Sequence, residues 1–241
     1  MTEGIGHRSP GGKSEELGSP RALVIDFDRT LTDAELELYK PALRTLRMLQ
    51  EEKGAKVIIA TGRPLPFMRG LEGELSFVDA VVAENGAMVW LPRQGRVELL
   101  AEENGAKEAL RSSGLPFEEG EAIVSVKKTL ENRVLKLIIE RKLDVDLQYN
   151  RDSLMLLPKG VDKVTGVRMA LQLLGTDGGE LICIGDGEND LALFALGTLK
   201  VATENAVQSL KDEADVVCVG AYAEGVDRFL RSLLGSAPKR G

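Results

Sequence analysis

At 241 residues, 43% hydrophobic and 29% charged, the chain has the balance of a soluble globular protein with room for one large domain or two modest ones, which excludes fibrous and disordered classes. Its 31 basic and 38 acidic residues give a formal charge of -7 without any Lys/Arg track, which argues against nucleic acid as a partner. No apolar run reaches the roughly 18 residues of a membrane span and no signal-peptide core is seen, so a cytoplasmic location without membrane contact is expected.

Residues 1–19 are rich in Gly, Ser, Pro and charge and lack apolar periodicity, so a flexible N-terminal extension is expected there. The only histidine, His7, falls in it, and a His-dependent mechanism is therefore not expected. ALVIDF at 22–27 is the first apolar run, and KVIIATG (56–62), FVDAVVAENG (77–86), LICIGDG (181–187), LKVAT (199–203) and ADVVCV (214–219) follow it. Short continuous runs of this kind suit strands buried on both faces. Helical segments lie between them. Pro41 suits a first turn, Leu43, Leu46 and Leu49 follow at helical spacing, and Gly54 suits the stop. Val164, Val167, Leu171 and Leu174 repeat the pattern before Gly175, and Val226, Phe229, Leu230 and Leu233 give the last helix one apolar face.

The alternation breaks between 87 and 157, where AMVWLP, RVELL, EAIVSVKK and DVDLQYNRDSLMLLP read as strands around one or two helices. RVLKLIIE at 133–140 satisfies neither the helical nor the strand period. The expected fold is α/β: a Rossmann-like parallel sheet with helices on both faces, built from 20–86 and 158–241, plus an inserted α+β domain over 87–157. The cysteines, Cys183 and Cys218, lie far apart in apolar runs and read as reduced core residues. The closing SAPKRG reads as a second frayed end.

In such a sheet, ligands bind at the carboxyl ends of the strands. Three runs end in polar residues: Asp26 and Asp28 after ALVI, Thr61 and Gly62 after KVIIA, and Asp186 within GDGEND after LICI. Two carboxylates about 5 Å apart at an effective dielectric near 20 repel by roughly 3 kcal/mol, so a shared acidic crevice calls for a cation. With no His or Cys among the donors, that cation is expected to be Mg²⁺.

These residues carry a resemblance. The chain resembles the haloacid dehalogenase-like phosphatases: DFDRT matches the family's first motif, ATGRP the second, Lys163 in GVDKVTGV the third and GDGEND the fourth, in the family's order. ENGAMV, NRDSLMLLPKGVDK and VATENAVQSLKDEADVV extend the resemblance toward the subgroup containing archaeal-type phosphoglycolate phosphatase and the sucrose-phosphate and sugar phosphatases, and 87–157 resembles that subgroup's α/β cap domain. The resemblance implies a Mg²⁺-dependent phosphatase acting on a small phosphorylated metabolite, as a monomer or homodimer. It implies Asp26 as the nucleophile that forms an aspartyl-phosphate, and Asp28 as general acid and base. Asp26, Asp186 and the Asp28 carbonyl would hold the metal, with Asp190 contributing through water or by holding Lys163. Thr61, Lys163 and the N–H groups near Gly62 and Asn189 would hold the phosphate. A sugar phosphomutase and a catalytically silent binding protein are the alternatives on this fold.

Several neighbours have other readings. Lys159 rivals Lys163, because PKG could itself precede the helix. Arg63 reads as half of a structural ion pair, Asn85 and Asn205 as capping or turn residues, and Glu188 has no role in the family pattern. Lys127, Lys128, Arg133 and Arg151 are basic residues of the insertion that could face substrate. Arg29 departs from the family, in which glycine is common at this place, and implies a position without positive φ.

Overall fold

The computed structural model describes residues 20–102, 104–176 and 179–235. The expected N-terminal extension with His7 and the closing SAPKRG lie outside the described residues. In chain order the strands are β1 (Ala22–Asp26), β2 (Lys56–Ala60), β3 (Ala80–Ala83), β4 (Met88–Leu91), β5 (Arg96–Leu99) and β6 (Glu118–Glu119). They continue with β7 (Val124–Lys127), β8 (Val145–Asn150), β9 (Ser153–Pro158), β10 (Leu181–Gly185), β11 (Leu199–Ala202) and β12 (Val216–Val217). One sheet runs β12-β11-β10-β1-β2-β3-β4-β5, and a second runs β6-β7-β9-β8.

The large sheet is parallel from β12 through β3. Its central strand, β1, lies between β10 and β2, with Ile25 opposite Ile184 and Asp26 opposite Ala60. The chain thus departs from β1 toward opposite edges, and the crevice where that reversal opens is the usual ligand site of such sheets. Both faces are covered. Leu43, Leu46 and Leu49 of the helix Lys40–Lys53 pack with Val226, Leu230 and Leu233 of Tyr222–Gly235 in one apolar cluster. Val167, Ala170 and Leu171 of the helix Lys163–Leu173 pack in a second cluster with Val24, Ile58 and Val82. Cys183 and Cys218 are free and buried, as expected.

Residues 88–99, grouped by sequence with the insertion, instead extend the large sheet: β4 pairs antiparallel with β3, and β5 with β4. The cause is a tight reversal over Glu84–Gly86, where Glu84, Asn85 and Gly86 all take positive φ (51°, 50° and 105°) and turn the chain back beside β3. β4 is buried along its whole length, so its run carries no mark separating it from the strands of the core.

The small sheet buries Val124, Val126, Leu154 and Leu156 against Leu110, Val134 and Leu137 of two helices, Ala106–Ser113 and Glu131–Arg141. RVLKLIIE is thus helical. Its pattern was unreadable because Ile139 lies 77% exposed while Val134 and Leu137 are buried. On the opposite face of the small sheet, Ile123, Met155 and Leu157 join the first cluster of the large sheet. Among the described residues, no helix is long and apolar enough to cross a membrane.

Candidate active site

Asp26 is the last residue of β1, and Asp186 directly follows β10, its hydrogen-bonded neighbour. Strand pairing thus brings together carboxylates that lie far apart in sequence. With Asp190 they form a buried group in which one carboxylate oxygen from each residue lies within 4.8 Å of the others. Such a group is tolerable only with a compensating charge. Lys163 provides one: fully buried, its Nζ donates to Asp26 Oδ1 at 2.6 Å and to Asp190 Oδ1 at 2.7 Å.

Lys163 reaches this point because Asp162 caps its helix. The Asp162 carboxylate accepts from Thr165 N–H at 2.7 Å, while Thr165 Oγ1 accepts from Asp162 N–H at 2.9 Å. Lys159, the rival in sequence, is an exposed residue paired with Asp144 at 3.1 Å, so of the two lysines it is Lys163 that reaches the strand ends. Burial pulls the Lys163 pKa down, but Asp190 and Asp26 more than offset it and leave it above the usual lysine value. Burial, reinforced by Asp190, raises Asp26 well above the ordinary carboxylate range despite Lys163. Asp186 is pushed up to about 6 by burial and by Asp190, against the pull of Arg151 and Lys163.

Asp190 is fully engaged. Beyond Lys163, its Oδ2 accepts from the N–H groups of Asp186 and Gly187, each at 3.0 Å. Asp28 is half-exposed and held by Arg63, whose Nη2 lies 2.7 Å from Oδ1 and whose Nε reaches both oxygens at 3.0–3.1 Å. Arg63 therefore forms the expected ion pair, and its guanidinium also lies 4.6 Å from the Phe67 ring centre. Thr61 is buried at the end of β2, and its Oγ1 accepts from Arg63 N–H at 3.1 Å. Gly62, Asn189, Asp26 and Asp28 face a cavity of about 330 Å³, whose opposite wall carries Glu118, Ser125, Asn150 and Arg151 of the small-sheet segment.

Arg29 corrects the sequence expectation, because its φ is +60°. The left-handed turn that glycine would ease is kept. Its N–H donates to Thr32 Oγ1 at 2.7 Å, and its carbonyl accepts from Asn205 Nδ2 at 3.3 Å. Among the basic residues of the insertion, Arg151 reaches the site and pairs with Asp186. Lys128 instead lies against the Tyr149 ring, and Lys128 and Arg133 are exposed outside the cavity wall. Lys127 is exposed at a neighbouring hollow, and Glu188 is exposed as well.

Sequence reasoning undervalued three residues. Asn205 bridges the Arg29 carbonyl to Asp186 Oδ2, the latter at 3.4 Å. Asn85 is buried between Met155 Sδ at 2.8 Å and Asn189 Nδ2 at 3.4 Å. The buried Glu84 carboxylate accepts from the N–H groups of Glu121, Ala122 and Ile123. The sequence signals were ENG and VATEN, each at the end of an apolar run and each in a stretch that carries the resemblance.

The donor set fits a hard divalent cation: the buried carboxylates Asp26, Asp186 and Asp190 lie together and contain no nitrogen or sulfur ligand. The sequence matches the haloacid dehalogenase-like hydrolase family over residues 23–113 and 115–230. It is 31% identical to the phosphoglycolate phosphatase of Methanopyrus kandleri over 88% of this chain and 96% of that one. It is 30% identical to phosphoglycolate phosphatase 2 of Saccharolobus solfataricus over 91% and 95% of the two chains. The fold superposes on a subclass IIB sugar phosphatase with a TM-score of 0.69 at 19% identity, covering 90% of this chain and all of the other.

Proposed function

The chain belongs to the haloacid dehalogenase-like hydrolases and is a phosphatase, and from that premise we propose that it hydrolyses phosphoglycolate with Mg²⁺ as its metal. The observation that carries this reading is the ammonium of Lys163 between Asp26 and Asp190, at the strand ends beside Asp186. Lys163 holds the Asp26 carboxylate in place, so that its free oxygen is available for in-line attack on phosphorus. Attack gives an aspartyl-phosphate on Asp26 and releases the alkoxide. Asp28, two residues on, protonates that oxygen and then takes the proton of the attacking water. The Arg63 fork occupies both Asp28 oxygens, so Asp28 must leave the fork to reach the leaving oxygen.

Asp26, Asp186 and the Asp28 carbonyl would hold Mg²⁺, whereas Asp190, whose oxygens already accept three hydrogen bonds, anchors Lys163. The bound metal would neutralise charge between phosphate and carboxylates. Thr61, the N–H groups at Gly62 and Asn189, and Lys163 would cradle the phosphoryl oxygens. The segment 104–157 acts as the cap, and selectivity comes from its wall of the cavity.

One observation favours a second substrate class. Glu118, Asn150, Asp152 and Ser153 line the cavity beside the arginines and suit the hydroxyls of a sugar phosphate. A phosphate-release screen with Mg²⁺ over phosphoglycolate, sugar phosphates and nucleotides separates the two, with Asp26→Asn as control. Phosphoglycolate is expected to give the highest kcat/KM. If the wild type releases no more phosphate than Asp26→Asn on every compound, the hydrolase reading fails.

A further inference from the structure

Glu84 opens the reversal that follows β3, and it has no exposure to solvent. A buried carboxylate accepts hydrogen bonds and cannot donate them, so it must be surrounded by donors. All the donors it meets come from the small-sheet segment: Glu121 N–H at 2.8 Å on one oxygen, and Ala122 and Ile123 N–H at 2.8 Å and 3.2 Å on the other. Gly120 makes the approach possible, since a Cβ there would stand 2.5 Å from Glu84 Oε2.

The contacted loop is not one of the two connections between the sheets, which run around Asn104 and Pro158. Those connections meet each other, with Asn104 Nδ2 donating to the Leu157 carbonyl at 3.3 Å. Glu84 therefore binds the small-sheet segment away from its points of attachment, where separation of the two bodies must break the contact. The bound loop is also cavity wall: Glu118, Glu119, Gly120 and Ile123 all face the cavity. The next residue, Asn85, meets Asn189 on one side and Met155 on the other.

We propose that Glu84 is a positioning residue, a latch by which the large sheet seats loop 118–123 over the substrate and holds the cavity closed. It touches no reacting atom. Its effect on turnover passes through the loop, and this kinetic arm rests on the phosphatase reading above. Cap opening would strip three donors from a carboxylate, and hydrogen bonds to such groups are among the stronger ones in proteins. Removing the acceptor should therefore raise the open population by at least about tenfold.

The test reads the latch from both sides. Amide hydrogen exchange and steady-state kinetics on phosphoglycolate are measured for Glu84→Ala and Gly120→Ala, the second of which pushes a methyl group against the carboxylate. Each variant is expected to speed exchange at the amides of 121–123 at least about tenfold and leave β1 unchanged. Each should also raise KM several-fold with kcat nearly constant, as loss of uniform binding does. The double variant should be little worse than either single one, because both break one interaction. Wild-type protection at 121–123 in either variant, losses that add as for separate sites, or a fall in kcat at constant KM would each overturn the proposal. If Glu84→Ala does not fold, Gly120→Ala decides alone by the same criteria. A chain that hydrolyses nothing leaves the exchange measurement to decide, so failure of the hydrolase reading is seen separately.

Discussion

Arg29 sits in a backbone region that costs an L-residue roughly 1–2 kcal/mol, at the position after the two acidic residues of the strand end. Replacement by glycine should remove that cost, so Arg29→Gly is expected to stabilise the chain by about 1 kcal/mol in denaturant melts. The arginine lines the cavity and is paired with none of its carboxylates among the described contacts. The same substitution should therefore raise KM for phosphoglycolate several-fold and leave the phosphoester of an uncharged alcohol unaffected. Equal changes on both compounds would show that Arg29 does not meet a second anion. At this scale much of the site is legible in sequence. Asp26, Thr61 and Asp186 stand out because each closes an apolar run, a place where a buried strand gives way to a crevice. Glu84 and Asn205 were not legible as site residues, because their partners come from loops whose meeting depends on the assembled fold. The φ of Arg29 was misread because residue type stood in for the hydrogen bonds that hold the turn.

The helix Lys163–Leu173 owes its place to its first turn. Asp162 and Thr165 satisfy each other's backbone groups, and Lys163 follows at once. Asp162→Ala should cost about 1 kcal/mol, lowering Tm by roughly 2–4 °C for a chain of this size. Because the start of the helix also aims the ammonium at Asp26, kcat should fall as well, and Asp162→Asn should recover most of both losses. Loss of stability with unchanged kcat would show that the cap does not act through Lys163. Helices with a clean apolar face, such as Lys40–Lys53 with its terminal Gly54 at φ +69°, were readable from spacing alone. β4 and β5 were misplaced because continuous burial makes strands alike, and nothing local says which sheet they join.

At the scale of the whole molecule, folding gathers acidic groups that repel. The Asp186 pKa of about 6 lies above its ordinary 3.8, so between these values the folded chain keeps a proton that the unfolded chain has released. This group's contribution to stability is therefore largest below about pH 4 and is lost as pH rises through 6, by roughly 3 kcal/mol in the metal-free protein. The charges facing it are Asp190, which raises its pKa, and Arg151 and Lys163, which lower it. Mg²⁺ should reverse the penalty by binding the ionised carboxylates, raising Tm at pH 7–8, with an effect that shrinks as protons compete below about pH 6. Melts across that range, with and without Mg²⁺, check this. Asp186→Asn should flatten both the pH slope and the metal response, and an unchanged response in that variant would place the cation elsewhere.

The hydrogen bond between Asn104 and the Leu157 carbonyl ties the chain where it leaves the large sheet to where it returns. A segment whose two feet stand side by side can be lengthened, shortened or exchanged without altering the spacing of β1, β2 and β10 beneath it. Inherited variation in that segment can thus reshape its wall of the cavity while leaving Asp26 and Asp186 in register. The same footing makes it a natural splice point for grafting a foreign domain onto the large sheet.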